Sequence, residues 1–222
     1  MQTCLPHASI KFLRDLSENN SKAWFDDNRK RYERDLKKPA RALIATINAG
    51  LDDVAPGFVT PPNKAISRIN RDIRFSKDKT PYHTHVWAAF MDQSTDKRSA
   101  AGFYVGIRLD EVGIGAGCWM PPKPAIDHLR TRIAAEHTVL QGILDGLDPA
   151  FGDLRGESYK RVPKPFPKDH PAATWLKLKG MHLARTYAPG MATEPDFAER
   201  VVDQFVQLKA FVDFISGGLR GA

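Results

Sequence analysis

The spacing of apolar residues changes twice along the chain, and this limits the fold more than any single motif does. Ile10, Phe12, Leu13 and Leu16 recur at helical intervals, as do Leu43, Ile44, Ile47, Leu51 and Val54. From residue 64 the period drops to two. Phe103, Val105, Ile107 and Leu109 fall on one face of a strand that pairs across Asp110-Glu111 with a second over 112–120, and 86–91 reads as a strand before them. Helical spacing returns with Ile126, Leu129 and Ile133, then over 137–147. It returns again with Phe197, Val201, Val202, Phe205, Leu208, Phe211, Val212 and Ile215. Residues 181–187 form a late strand. Helices, then successive strands, then helices predict an α+β fold in a single domain over 1–222. Its antiparallel sheet of about four to six strands is flanked by N-terminal, middle and C-terminal helices.

Local signals set the boundaries. Ser9 is placed to cap the first helix, which breaks at Asn19-Asn20, and Ser21 opens the second. Trp24 and Phe25 anchor that second helix, while charged residues from Asp26 to Arg34 cover wet faces. Pro39 suits the first turn of the next helix and Pro124 that of a later one. Residues 92–98 make a charged turn, 156–169 a proline-rich loop, and 170–179 a short helix around Trp175. Gly113, Gly115 and Gly117 alternate along one strand, leaving a bare stripe that a backbone or ligand can approach closely.

The most unusual stretch is 66–82. It carries five cations (Arg68, Arg71, Arg74, Lys77 and Lys79) and two aspartates, yet it also holds Ile66, Ile69, Ile73 and Phe75. Read as a strand, Ile69, Arg71, Ile73 and Phe75 share an apolar face on which Arg71 is the misfit. The net charge of +7 is not spread evenly. Residues 64–85 contribute a net +4 and residues 159–185 a net +6, so the remainder is mildly acidic. Two basic segments in such a chain point to a small anion or to nucleic acid.

The run 68–82, Arg-Ile-Asn-Arg-Asp-Ile-Arg-Phe-Ser-Lys-Asp-Lys-Thr-Pro-Tyr, resembles the signature of a mainly bacterial and fungal family, domain of unknown function 2461. Phe12-Leu13, Leu16, Asn19-Asn20, Trp24-Phe25, Asn28 and Tyr32 resemble its N-terminal part. The strand 104–109, the glycine-bearing strand and Leu129-Arg130 with Ile133 resemble its middle. Lys160-Arg161-Val-Pro-Lys164 with Asp169-His170-Pro171 resembles its late basic motif. The resemblance implies one compact α+β domain with the two basic segments as its hallmark, and it implies no particular activity. His83 stands where the family usually has Lys, and Lys164-Pro-Phe-Pro replaces Lys-Gly.

These readings give an anionic ligand, phosphorylated or carboxylated, held in a cleft lined by 66–82 and 159–170, possible enzyme activity included. Its contacts would be Arg68, Arg71, Arg74, Lys77, Lys79, Tyr82, Lys160, Arg161 and Lys164, since Arg suits bidentate oxyanions and Lys supplies a point charge. Asp72 and the Asp169-His170 pair are candidates for acid–base work, against a helix-start role for the latter. A nucleic-acid module and a structural or protein-interaction domain are the alternatives. His83 and His85 lack a third ligand at metal-binding spacing, and Cys118 reads as a core thiol. No cofactor motif is present. Two cysteines, no signal peptide and no apolar run of membrane-spanning length lead to the expectation of a cytoplasmic chain with no membrane partner.

Overall fold

The computed structural model describes residues 1–96 and 100–220. Lys97 and Arg98 of the expected turn lie outside the described residues. Helices α1 (His7–Glu18), α2 (Lys22–Asp27), α3 (Arg29–Arg31), α4 (Lys38–Val54) and α5 (Pro62–Ala65) open the chain. Strands β1 (Val86–Met91), β2 (Gly102–Ile107) and β3 (Val112–Cys118) follow. Helices α6 (Lys123–Ala135), α7 (His137–Asp145) and α8 (Ala173–Leu176) precede β4 (Met181–Tyr187), and α9 (Phe197–Leu219) closes the fold. The four strands form one antiparallel sheet in the order β1-β2-β3-β4, with Val105 opposite Ala88 and Ile114. The architecture is α+β, as the alternating periods predict.

Alternation along each strand gives the sheet two different faces. Val86, Ala88, Phe90, Phe103, Val105, Ile114, Ala116 and Leu183 are buried beneath α9. There Phe205 stacks on Phe103 at 4.8 Å and meets Phe90 edge-on at 5.4 Å. The opposite face presents Trp87, Ala89, Met91, Tyr104 and His182. The bare stripe predicted on β3 lies on this face: Gly113 has open space above it, Gly117 abuts the β4 backbone, and Gly115, with Gly106 of the neighbouring β2, lies against an aromatic ring. A side chain at Gly115 would strike the Tyr104 ring at 2.6 Å, and one at Gly106 would strike Trp87 at 2.8 Å. Those glycines let Trp87 and Tyr104 lie flat and stack on each other at 4.7 Å.

The N-terminal helices differ from expectation in one instructive way. Ser21 does cap α2, accepting the Trp24 N–H, but Ser9 sits inside the first turn of α1, whose N-cap is Pro6. Its hydroxyl is fully buried and donates to the Asp35 carbonyl. That carbonyl lies four residues before Pro39, which has no N–H to offer it. Pro39 stands in the first turn of α4, as expected, but α4 is not a fresh start. It lies within continuous helical backbone from Arg29 to Val54, which passes through a π-helical segment at Tyr32–Lys37. Ser9 replaces the donor that Pro39 lacks.

Two buried charges tie elements together, one joining α6 to α8 and the segment after it, the other joining the end of β1 to α9. Arg130 of α6, 2% exposed, donates to the carbonyls of Leu176 and Leu178 at 2.9 and 2.6 Å and to Asp127 at 2.8 Å. Buried Asp92, just past β1, accepts from Arg220 at the end of α9 at 2.8 Å.

Candidate anion-binding site

Segment 66–82 is an open loop at the β1 edge of the sheet and not the strand its alternation suggests. It joins β1 through the Ser67 N–H, which donates to the Trp87 carbonyl at 2.8 Å. It then folds back on itself: Arg71 N–H donates to Pro81 O at 2.9 Å, and His83 N–H to Ile69 O at 2.7 Å. Ile69 is buried and Ile73 partly so. Phe75, expected on the same inner face, is 95% exposed. The loop has left the sheet by that point, and the exposed phenyl ring has the Arg74 guanidinium 5.7 Å from its centroid.

Within the loop the ionic side chains divide into two groups. Arg71 donates to Asp78 at 2.6 Å, to the Thr80 carbonyl at 3.0 Å and to the Thr80 hydroxyl. The Thr80 N–H, Arg71 and the Thr80 hydroxyl together hold the Asp78 carboxyl at a pKa of about 2. Arg74 pairs with Asp72 at 2.7 Å, lowering the pKa of that carboxyl, and Lys79 donates to Ile73 O at 2.9 Å. For the Arg71–Asp78 pair the structural role is plain: it closes the loop. Arg68 and Lys77 form no ion pair among the described residues, although the charge of Arg68 helps to lower the Asp72 pKa. Tyr82 is buried, with its ring stacked on Phe25 at 4.1 Å.

The second basic segment attaches to the other edge of the sheet. Arg155 bridges to His182 of β4, Ser158 to Leu178, and the Tyr159 N–H donates to Lys177 O at 2.8 Å. Strands β2 and β3 separate β1 from β4, a width of roughly 14 Å at ordinary strand spacing. Lys160, Arg161 and Lys164 are exposed on this far loop, so the structure does not bring them together with Arg68. His170 Nδ1 accepts the Ala172 N–H at 3.0 Å in the turn before α8, and Asp169 is exposed.

What the loop does approach is the irregular helix. An open cavity of about 280 Å³ lies between residues 63–70 and the backbone from Arg29 to Arg41. Phe25, Tyr32 and Ile69 give it an apolar side, and Asn63, Ser67 and Asn70 supply neutral polar groups. Four cations line it: Arg29, Lys37, Arg41 and Arg68; Glu33 is the one carboxylate in its lining. Glu33 is already paired with Lys37 at 2.6 Å, and Arg29 with Asp26 at 2.9 Å. Arg41 and Arg68 are left facing the cavity and form no ion pair among the described residues. Burial raises the Tyr32 pKa, while the charge of nearby Arg41 opposes that rise. π-helical turns occur often at functional sites, and this one contributes Tyr32, Glu33 and Lys37.

The sequence reading names neither Arg29, which falls in the run from Asp26 to Arg34 read as wet helical faces, nor Lys37 and Arg41 beyond that run. The available signal was Pro39, a proline inside an otherwise helical pattern, which marks irregular backbone.

The histidines of 83–85 have rings 4.8 Å apart. Burial and then the neighbouring His83 push the pKa of His85 down to about 4. Among the described residues no three His, Cys, Asp or Glu side chains are gathered to hold a metal ion. Burial pushes the Cys118 thiol up to about 11, as for an inert core cysteine. Among the described residues no helix is long and apolar enough to cross a membrane.

The family described as conserved hypothetical protein (DUF2461) matches residues 8–214 of the chain. No curated protein matches it.

Proposed function

The chain belongs to the DUF2461 family, and we propose that it binds a small phosphorylated or carboxylated anion between Arg41 and Arg68. The observation that carries this reading is a pair of guanidinium groups that form no ion pair among the described residues, lining a cavity whose one carboxylate among those residues is engaged by Lys37. Guanidinium is the side chain best matched to bidentate oxyanion contacts. Asn63, Ser67 and Asn70 add neutral hydrogen-bonding groups, and Phe25 and Tyr32 limit the water around the anion. Strengthened electrostatics in such a half-enclosed site favour a compact charge. At about 280 Å³ the cavity lies just below the usual range for ligand sites, roughly 300–1,000 Å³. It therefore suits a small metabolite.

A thermal-shift titration with phosphate, sulfate and a set of di- and tricarboxylates tests the reading. A saturable rise in melting temperature is expected for at least one of these anions, by linkage of binding to folding. Arg41→Ala or Arg68→Ala should remove it. A wild-type protein stabilised by none of them would contradict the reading.

A further inference from the structure

We infer that the sheet face opposite α9 binds single-stranded nucleic acid, with bases on its aromatic side chains and phosphates at cations on both edges. This inference does not rest on the Arg41–Arg68 cavity: the two share Arg68, Asn70 and neighbouring loop residues, but Arg41 lines that cavity alone and Trp119 the sheet face alone.

The platform is made by Trp87 and Tyr104, stacked on a glycine floor, and by Trp119 just beyond β3, which is 77% exposed. Together with Met91 and His182 they line an open cavity of about 580 Å³. Aromatic surface lying flat on a sheet, with one side wet, presents π-faces to any base. Ala89 and Met91 also line a larger depression of about 890 Å³ that runs along the β1 edge to Lys64, Arg68 and Asn70. The aromatic floor and the basic edge are therefore one continuous tract.

The charges match a polyanion better than a single ion. Lys64 and Arg68 stand at the β1 edge, Arg108 lines the aromatic cavity, and Arg155 stands at the β4 edge beside His182. Arg155 is near enough to Tyr104 and His182 to affect the ionisation of both. Among the described residues Lys64, Arg68 and Arg155 have no ion-pair partner, and Arg108 approaches Glu111 only to 3.8 Å. The carboxylates Asp72 and Asp92 in the larger depression are taken by Arg74 and Arg220. Edge to edge the sheet spans roughly 14 Å, too far for one small anion to meet both sides. A chain of phosphates can. The net +4 and +6 segments that flank these edges add long-range attraction. Single strands are favoured over duplex because bases must be unstacked to lie on the rings.

Fluorescence anisotropy with a labelled oligothymidylate of about ten nucleotides tests this, that length being within the site size of known single-strand binders. Affinity should fall with salt at a log–log slope of about −0.7 per phosphate engaged. Trp119→Ala should weaken binding by about fivefold or more, as loss of one stacking partner does. Arg155→Ala should make the salt slope shallower. Both positions are exposed, so both variants should keep the wild-type melting temperature and any phosphate-induced stabilisation that depends on Arg41. Failure of the Arg41–Arg68 reading would remove that stabilisation alone and leave oligonucleotide binding intact. The inference is overturned by no binding, by a duplex of equal length binding as tightly, or by a mononucleotide matching the oligomer. It is equally overturned if Trp119→Ala leaves affinity unchanged, or if that variant only dissociates a homodimer that binds no oligonucleotide.

Discussion

Asn20 and Tyr82 are joined twice across 62 residues of sequence. The Asn20 side chain donates to the Tyr82 carbonyl at 2.9 Å and accepts the Tyr82 N–H at 3.1 Å. A side-chain amide has the same donor and acceptor as a backbone peptide, so Asn20 acts as a one-residue strand pairing with the end of the charged loop. With Phe25 stacked on Tyr82, this fixes the loop against the N-terminal helices and so shapes the cavity between them.

Asn20→Ala should cost about 2 kcal/mol, two hydrogen bonds to a part-buried backbone being lost together. Asn20→Asp should not rescue it, because the carboxylate has no donor for the Tyr82 carbonyl. Urea denaturation of the two variants checks this.

The Ser9 hydroxyl serves a carbonyl that Pro39 cannot. Ser9→Ala should therefore destabilise by about 1–3 kcal/mol, the cost of an unsatisfied buried acceptor. In a Pro39→Ala background, where residue 39 regains an N–H, the same change should cost less. A double-mutant cycle by chemical denaturation reads the coupling. Equal costs in both backgrounds would show that Ser9 and Pro39 are not linked.

The Asp78 carboxyl, held at about pH 2 in the folded protein against an ordinary value of 3.8, favours the folded state when ionised. Its stabilising contribution is present above the unfolded pKa and is lost as the pH falls from about 4 through 2. Asp78→Asn should be less stable than wild type at neutral pH, and the difference should shrink as the pH approaches 2. Asp15, Asp26 and Asp35 are also lowered by arginine or lysine partners, so some acid sensitivity persists in the variant. Urea midpoints between pH 7 and pH 2.5 measure the difference.

Arg71 and Arg68 should behave oppositely. Arg71→Ala removes the clamp on Asp78 and Thr80, and should raise proteolytic susceptibility or amide exchange in residues 71–81. Arg68→Ala breaks no ion pair among the described residues and should leave loop protection unchanged. Hydrogen exchange followed by mass spectrometry distinguishes the two.

How far these features were legible in the sequence varies with what determines each one. β4 begins and ends at the expected residues, and β1 matches over 86–91, because alternation and flanking turns are local signals. In the charged loop the same alternation is visible, since Ile69, Arg71 and Ile73 are less exposed than Asn70, Asp72 and Arg74. Whether such a segment becomes a strand depends on finding a partner, and beyond Ser67 it leaves β1. The two basic segments are both real surface features, yet the order of strands puts them on opposite edges, which no local pattern encodes. Arg41 was not legible as a site residue because its setting depends on the π turn, and that turn is coupled to Ser9 on another helix.

The central claim is that Arg41 and Arg68 together hold an anion. It is tested most directly by a phosphate titration, followed by thermal unfolding, of the wild type beside the Arg41→Ala/Arg68→Ala double variant. The account predicts a saturable rise in melting temperature for the wild type, and none for a double variant that remains folded without ligand. An equal rise in both proteins, or none in the wild type, would contradict it.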